Sequence, residues 1–363
     1  MKHSQVRISR AKLDYNFNFF KSKLHSSTKL LVLVKANGYG LGDVEIATLA
    51  EELGANYIGV AYICEGIKLR KAGIKIPIII LTPGVDDFEK LIEYNLEPSI
   101  INKESVETMH LAAKKANVKK FPIHIKLDTG MQRVGFTPER LEGLKKSLES
   151  NNYLEIKSLF SHLAAADEPK HDSFTRGQIE LFNKMSTEIC SWLDYKPMKH
   201  ILNSAGIERF TYAQMDMVRL GIGLYGTSCL KDTRLKPVAS FVAPIIYIKE
   251  VKGGSIGYGR HGVVDSKVKR IATVPVGYAD GVDRHLGRGN IKFVVNNTAV
   301  PTIGNICMDN FMIDVTNANV KIGDVVTIFG ENPHPALLAQ VLDTITYEIF
   351  TSVSARVEKV ITE

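Results

Sequence analysis

The sequence predicts an α/β chain, a (β/α)8 barrel of the TIM type followed by a mostly antiparallel β domain, and three observations lead there. Short β-branched runs alternate with amphipathic helical stretches from residue 30 to about residue 226. Eight such runs occur, the number that closes a barrel in a little over 200 residues. After about residue 229 the pattern changes to β-rich segments punctuated by glycine turns. At 363 residues, one large domain and one smaller one is the natural division.

The runs are, in order, LLVLVKA (30–36), YIGVAY (57–62), IPIIILTP (76–83), EPSII (97–101), FPIHIKLD (121–128), IKSLFSH (156–162), KHILNS (199–204) and DMVRLGIGLYG (216–226). Between them, 42–53, 103–117 and 173–193 carry Leu, Ile, Phe and Met at three- and four-residue spacings, which predicts helices with one buried stripe. Periodicity counts βα units without saying whether the sheet closes, so an open doubly wound sheet stands as the alternative. The barrel is assigned to residues 9–229. Residues 230–363, together with residues 1–8, form the β-rich domain, and KDTRLKP (231–237) is the junction.

Composition bounds the function. The chain is 45% hydrophobic and 23% charged, as ordinary globular proteins are. An excess of 46 Lys and Arg over 39 Asp and Glu gives +7, but the basic residues are scattered, which suits small anionic ligands and not nucleic acid. Cys64, Cys190, Cys229 and Cys307 lie far apart in no CxxC or Cys/His cluster, so neither a disulfide framework nor a metal site is expected. The amino terminus lacks an apolar targeting core, and the longest apolar run, 76–81, is too short for a bilayer. A cytoplasmic protein with no membrane partner is expected.

Functional side chains of such barrels sit at the carboxyl ends of strands, and the first strand runs into Lys35. Burial disfavours an ammonium and makes the amine a Schiff-base nucleophile, whereas a lysine snorkelling from the barrel mouth into a salt bridge has the same sequence. The last two strands end in Asn203-Ser204-Ala205-Gly206 and Arg219-Leu220-Gly221-Ile222-Gly223, where phosphate sites of these barrels commonly lie. Small residues let backbone amides approach phosphate oxygens, and the Ser204 hydroxyl adds a donor; plain loop glycines and a helix-capping serine are the other reading. A Schiff-base lysine and a phosphate cradle in one barrel point to pyridoxal 5'-phosphate.

VKANGYG, HIKLDTGMQRVGF, SHLAAADE, LNSAG, DMVRLGIGLYG, GYGRHG, VGYADG and GNICMDN closely resemble, in this order, the motifs of the alanine racemase family, from residue 5 to about residue 357. The resemblance implies that Lys35 carries pyridoxal phosphate and is one of two catalytic bases. It implies that Tyr39, Ser204, Gly221 and Ile222 hold the phosphate, with Asn203 flanking. Arg219 corresponds to the arginine facing the pyridine nitrogen. An arginine keeps its proton, so the ring stays a weaker electron sink, which favours racemisation over transamination. The second base corresponds to Tyr258, which in this family reaches the partner subunit's active site and implies a homodimer. A free tyrosine, with a pKa of about 10, needs neighbouring positive charge, and His162 with Arg219 corresponds to the group that supplies it. Arg133, Met308 and Asp309 match the residues that hold the substrate carboxylate. Lys126 matches a lysine carbamylated in many members; an unmodified lysine paired with Asp128 is the alternative.

Three positions depart from the family pattern. Ala355 stands where some relatives place a second tyrosine, Asn305 where an arginine often lines the substrate corridor, and Gln132 where a glycine precedes Arg133. The first implies a wider pocket that admits serine beside alanine. The resemblance thus implies a racemase supplying D-alanine for peptidoglycan. A single-barrel, non-catalytic pyridoxal-phosphate protein would share Lys35 and the phosphate loops without needing Tyr258 or Met308. A decarboxylase of similar architecture would need a cysteine and carboxylate pair absent from the second domain, and a racemase-like scaffold would have lost catalytic positions that are all retained here.

Overall fold

The computed structural model describes residues 3–85, 87–149, 151–230 and 234–363; Lys231, Asp232 and Thr233 of the expected junction lie outside them. The chain divides into two compact units, one formed by Met1–Leu13, Tyr39–Gly42 and Lys236–Glu363, the other by Asp14–Gly38 and Asp43–Leu235.

The first strand, β1 (Gln5–Ser9), belongs to the smaller unit, and the next eight build the larger one: β2 (Lys29–Leu33), β3 (Tyr57–Val60), β4 (Ile78–Ile80), β5 (Glu97–Ile100), β6 (Phe121–Lys126), β7 (Leu154–Phe160), β8 (Met198–His200) and β9 (Met217–Leu220). These coincide with the eight runs of the sequence. All neighbours are parallel, and the order β8-β7-β6-β5-β4-β3-β2-β9 advances one strand at a time without reversing. A doubly wound sheet turns back at a switch point, so this order is that of a nearly closed barrel. Between β8 and β9 there is no ladder; two backbone bonds bridge the seam, Asp216 N–H to the Lys199 carbonyl at 3.1 Å and Arg219 N–H to the Leu202 carbonyl at 3.0 Å. The strands are short and nearly continuously apolar because both faces are covered, with Leu31, Val32, Ile58, Ile79, Ile123, Leu159 and Val218 fully buried.

Helices follow the strands where the apolar stripes predicted them. Lys103–Lys115 starts at Asn102, whose side chain accepts the Ser105 N–H at 2.9 Å. Asp172–Cys190 turns Ile179, Phe182, Met185 and Ile189 inward at three- and four-residue spacing. Among the described residues no helix is long and apolar enough to cross a membrane.

The smaller unit adds β10 (Ala239–Pro244), β11 (Tyr247–Ile256), β12 (Gly262–Val274), β13 (Lys292–Val295), β14 (Thr298–Ile303), β15 (Phe311–Asp314), β16 (Val325–Phe329) and β17 (Glu358–Thr362). With β1 they form a nine-stranded sheet ordered β11-β12-β15-β14-β13-β16-β10-β1-β17, antiparallel except for the parallel β1–β17 pair. The long β11–β12 hairpin shifts register at Lys252/Gly254 and packs Ile256, Val264 and Ile271 on Ile303 and Met312.

Candidate active site

Lys35 follows β2 and the buried Val34, and the chain there turns left-handed: Ala36, Asn37, Gly38 and Tyr39 have φ of 53°, 55°, 61° and 56°. Each non-glycine residue in this region costs about 1–2 kcal/mol, so neighbours must hold the turn. The Gly38 N–H donates to the Val34 carbonyl at 2.8 Å, and the Ala36 N–H to Glu65 Oε1 at 2.7 Å. The other Glu65 oxygen accepts the Ala61 and Tyr62 amides, which anchors the carboxylate to the end of β3. Lys35 itself is half-buried. Burial first, then the charge of Arg133, push its ammonium below the ordinary lysine range against the pull of Glu65.

Lys126 ends β6, buried, with its Nζ 5.2 Å from the centroid of the Phe160 ring and one long contact of 3.5 Å to the Leu127 carbonyl. Burial and the nearby Arg219 charge push it down to about 7. The Asp128 pairing is not formed: among the described residues no carboxylate lies within 4 Å of Lys126, and Asp128 spends its oxygens on the Gly130, Gln132 and Arg133 amides at 2.9, 3.0 and 3.1 Å. This carboxylate shapes the loop that presents Arg133, whose side chain is exposed. Gln132 has φ 54°, a backbone conformation that glycine adopts more readily than glutamine.

Arg219, on β9, is buried inside the barrel. Its Nη2 donates to the Ser161 carbonyl (2.6 Å), the Ile201 carbonyl (3.1 Å) and His162 Nδ1 (3.1 Å); its Nη1 donates to the His200 carbonyl (3.3 Å) and Nδ1 (3.0 Å). Burial pushes its guanidinium down to about 9, still protonated at neutral pH. Among the described residues no carboxylate pairs with it and its Nε–H has no acceptor. His162 is held well below the ordinary imidazole range by burial and the charges of Arg219 and Lys126. Because Nδ1 accepts from Arg219, the neutral ring carries its proton on Nε2.

After β8, Asn203 caps the short helix Ser204–Arg209 by accepting the Gly206 N–H at 2.9 Å. The buried Ser204 Oγ accepts the Gly221 and Gly223 amides at 2.9 and 3.2 Å, joining the loops after β8 and β9. Ser204 therefore does not cap the helix, and its own hydroxyl proton remains to donate. Gly223 has a packing reason to be glycine, since a Cβ would meet Phe20 at 2.4 Å.

In the smaller unit, Tyr258 sits in the turn between β11 and β12, where Gly257, Gly259 and Arg260 have φ of 75°, 67° and 57°, and its ring is 76% exposed. Asn305 braces it: Nδ2 donates to the Tyr258 carbonyl at 2.8 Å while Oδ1 accepts from Arg288 Nε at 2.7 Å. Tyr258, Tyr278, Asn305, Met308 and Asp309 line one open cavity. Arg356 holds Asp280 with two nitrogens (2.6 and 3.0 Å) and Asp309 with one (2.7 Å). Tyr39 is buried, its ring 5.9 Å from that of Tyr347, and burial raises its hydroxyl above the ordinary range.

The larger unit thus carries Lys35, Lys126, Arg133, His162, Asn203, Ser204, Arg219, Gly221 and Ile222, and the smaller one Tyr39, Tyr258, Met308 and Asp309. Sequence reasoning overlooked Glu65, His200 and the brace at Asn305, and considered Asp128 only as a partner for Lys126 and not as the carboxylate that shapes the Arg133 loop. Only Asp128 left a readable signal, the Asp-x-Gly turn of LDTGMQR. Within the larger unit lie an amine below its ordinary range, an arginine whose Nε–H has no acceptor among the described residues, and a serine hydroxyl with a proton to donate.

Two family models match the chain, the alanine racemase N-terminal domain over residues 8–229 and the alanine racemase C-terminal domain over residues 238–361. Alanine racemase of Halothermothrix orenii is 38% identical over 365 residues, 98% of this chain and 95% of the relative. Alanine racemase 1 of Oceanobacillus iheyensis is 37% identical over 98% of this chain and 96% of its own length. The solved alanine racemase of Clostridium difficile 630 superposes with a TM-score of 0.93 at 33% identity, covering 99% of this chain and 96% of that one.

Proposed function

Because the chain belongs to the alanine racemase family and is an alanine racemase, we propose that it interconverts L- and D-alanine with two bases, Lys35 and the partner subunit's Tyr258. The observation that carries the cofactor and the chemistry is Arg219: a buried guanidinium without a carboxylate partner, its Nε–H unused, held by two histidine nitrogens and three carbonyls.

The residues fit pyridoxal phosphate. Lys35, an amine below its ordinary range, would hold it covalently; Arg219 Nε–H would face the ring nitrogen; the Ser204 hydroxyl proton, kept in place by the Gly221 amide, would hold the phosphate with the Ile222 amide, and Tyr39 would add a hydroxyl. When bound, the cofactor supplies an electron-withdrawing ring that acidifies the substrate Cα–H. Once the substrate amine has taken the place of Lys35 on the cofactor, the freed Lys35 Nζ would take or return the α-proton on one face and the Tyr258 hydroxyl would serve the other. Arg219 retains its proton, so it holds the ring nitrogen without protonating it and limits how far charge spreads away from Cα. His162, neutral with a proton on Nε2, is a donor suited to the phenolate form of the partner subunit's Tyr258. Arg133 and the Met308 N–H would hold the substrate carboxylate, and Asp309, next to Met308 in the chain, is held by Arg356. Lys126, pushed down to about 7, offers the neutral amine that adds to carbon dioxide with loss of a proton; the resulting carbamate would give Arg133 an anionic partner.

A site completed by two chains needs a two-fold homodimer. Co-expressing Lys35→Ala with Tyr258→Phe tests this: each homodimer is inactive, while heterodimers hold one intact site, so random pairing restores about a quarter of wild-type turnover. No recovery would overturn the shared site. The reaction belongs in the cytoplasm, where D-alanine would supply peptidoglycan synthesis.

One position favours a broader substrate range. Ala355 is an exposed small residue where some family members carry tyrosine. Serine is accepted beside alanine, and Ala355→Tyr should lower the serine-to-alanine ratio of kcat/KM. An unchanged ratio sinks this reading.

A further inference from the structure

Five polar side chains from five consecutive barrel strands are buried in one connected row. Glu97 opens β5, His124 lies in β6, Ser158 in β7, His200 ends β8 and Arg219 lies in β9. His124 and Ser158 are register partners, so the row runs across the sheet through neighbouring positions. Its contacts are 2.8 Å from Glu97 Oε2 to His124 Nε2, 2.6 Å from His124 Nδ1 to Ser158 Oγ, 2.8 Å from Ser158 Oγ to His200 Nε2, and 3.0 Å from His200 Nδ1 to Arg219 Nη1.

Counting protons sets the direction of every bond. A guanidinium only donates and a carboxylate only accepts, while a neutral imidazole or a hydroxyl does one of each along the row. Four contacts need four protons, and Arg219, His200, Ser158 and His124 supply one each. Starting from the carboxylate, His124 must carry its proton on Nε2, which leaves Nδ1 to accept from the Ser158 hydroxyl. Ser158 Oγ then accepts from His200 Nε2–H, and His200 Nδ1 is left bare for Arg219. A second proton on His124 would make Ser158 Oγ accept from both histidines and leave its own proton outside the row, so only a neutral His124 lets every contact use one proton. Burial and the Arg219 charge hold His200 well below the ordinary imidazole range, in keeping with a neutral ring.

We propose that Glu97 is a positioning residue for Arg219, acting through His124, Ser158 and His200 to keep a bare nitrogen on the arginine's Nη1 side and the Nε–H turned to the cofactor. Without the acceptor-only end nothing holds the His124 proton on Nε2, so Ser158 can turn its hydroxyl away from His124 and the order of the row then rests on Arg219 alone. The proposal rests on the reading that Arg219 faces the cofactor's ring nitrogen.

Nitrogen-15 spectra of the histidine side chains in the purified holoenzyme test it directly. The wild type should show both His124 and His200 protonated on Nε2 only. Glu97→Leu should bring Nδ1–H signal onto His200, lower kcat about tenfold and leave KM for alanine within twofold. Glu97→Gln, which keeps one acceptor oxygen, should recover part of both effects. If Glu97→Leu does not fold, Ser158→Ala cuts the row in its middle, and His200 should then lose its fixed Nε2–H while kcat falls similarly. Tautomers that ignore Glu97 and Ser158, or a shifted tautomer with unchanged kcat, would overturn the proposal. Unchanged turnover in Arg219→Ala would instead overturn the reading of Arg219 on which it rests.

Discussion

Tyr258 depends on a residue that touches only its backbone. The turn around it combines three left-handed residues with a largely exposed ring, so little packing holds the phenol in place, and the Asn305 amide is the bond that ties its carbonyl to the sheet through Arg288. Asn305→Ala removes that tie without changing any group that handles a proton. Turnover should fall about tenfold or more, since small misplacements of a reacting group are costly, while the protein's thermal midpoint moves little. A steady-state comparison of kcat and KM in both directions checks this; unchanged kcat would show that the turn holds itself. The same position illustrates what sequence conceals. Asn305 read as a departure at a corridor, and nothing in a single chain links an asparagine at 305 to a carbonyl at 258.

At the scale of elements, close approach explains the strand ends that carry the smaller unit's site. A Cβ on Gly277 would lie 2.2 Å from the Cys307 carbonyl oxygen and 2.3 Å from that of Met308, which are the acceptors of the Tyr278 and Ala279 amides. Gly277→Ala must therefore push the Met308 segment away, at a cost of about 1–3 kcal/mol, lowering the melting midpoint by several degrees and raising KM for alanine. A midpoint equal to wild type would contradict it. The barrel strands were legible because parallel strands buried on both faces are continuous apolar runs. The first of them ends earlier than its β-branched pattern predicts, since the turn from Ala36 onward is decided by Glu65 and Asn37-Gly38 rather than by hydrophobicity. The long hairpin is not legible as one unit because residues 265–267 are polar and exposed and the glycines at 253–254 look like an ending where they form a bulge. The β1–β17 pair joins residues more than 350 apart, a separation that no local pattern reports.

Over the whole molecule, the barrel keeps several cationic groups in a poor solvent for charge. Lys126 is pushed down to about 7 from its ordinary 10.5, so between those values the unfolded chain binds a proton that the folded barrel lacks. Stability therefore rises with pH from about 7 towards 10.5, and below 7 both states carry the proton and this contribution is absent. Denaturation at pH 7 and pH 9 in buffer free of carbon dioxide should show the wild type gaining stability relative to Lys126→Met; equal gains would refute it. Lys35 contributes with the same sign, which is why the difference between the two proteins is the quantity to read.

The seam between β8 and β9 gives the barrel one weak joint. Here Ser204 on one side clasps Gly221 and Gly223 on the other. An anion seated on both loops would act as a rivet across the only edge that lacks a ladder, and local opening of the barrel would then require its release. Filling the site would then stiffen the seam, so the protein would grow rigid as its ligand arrives.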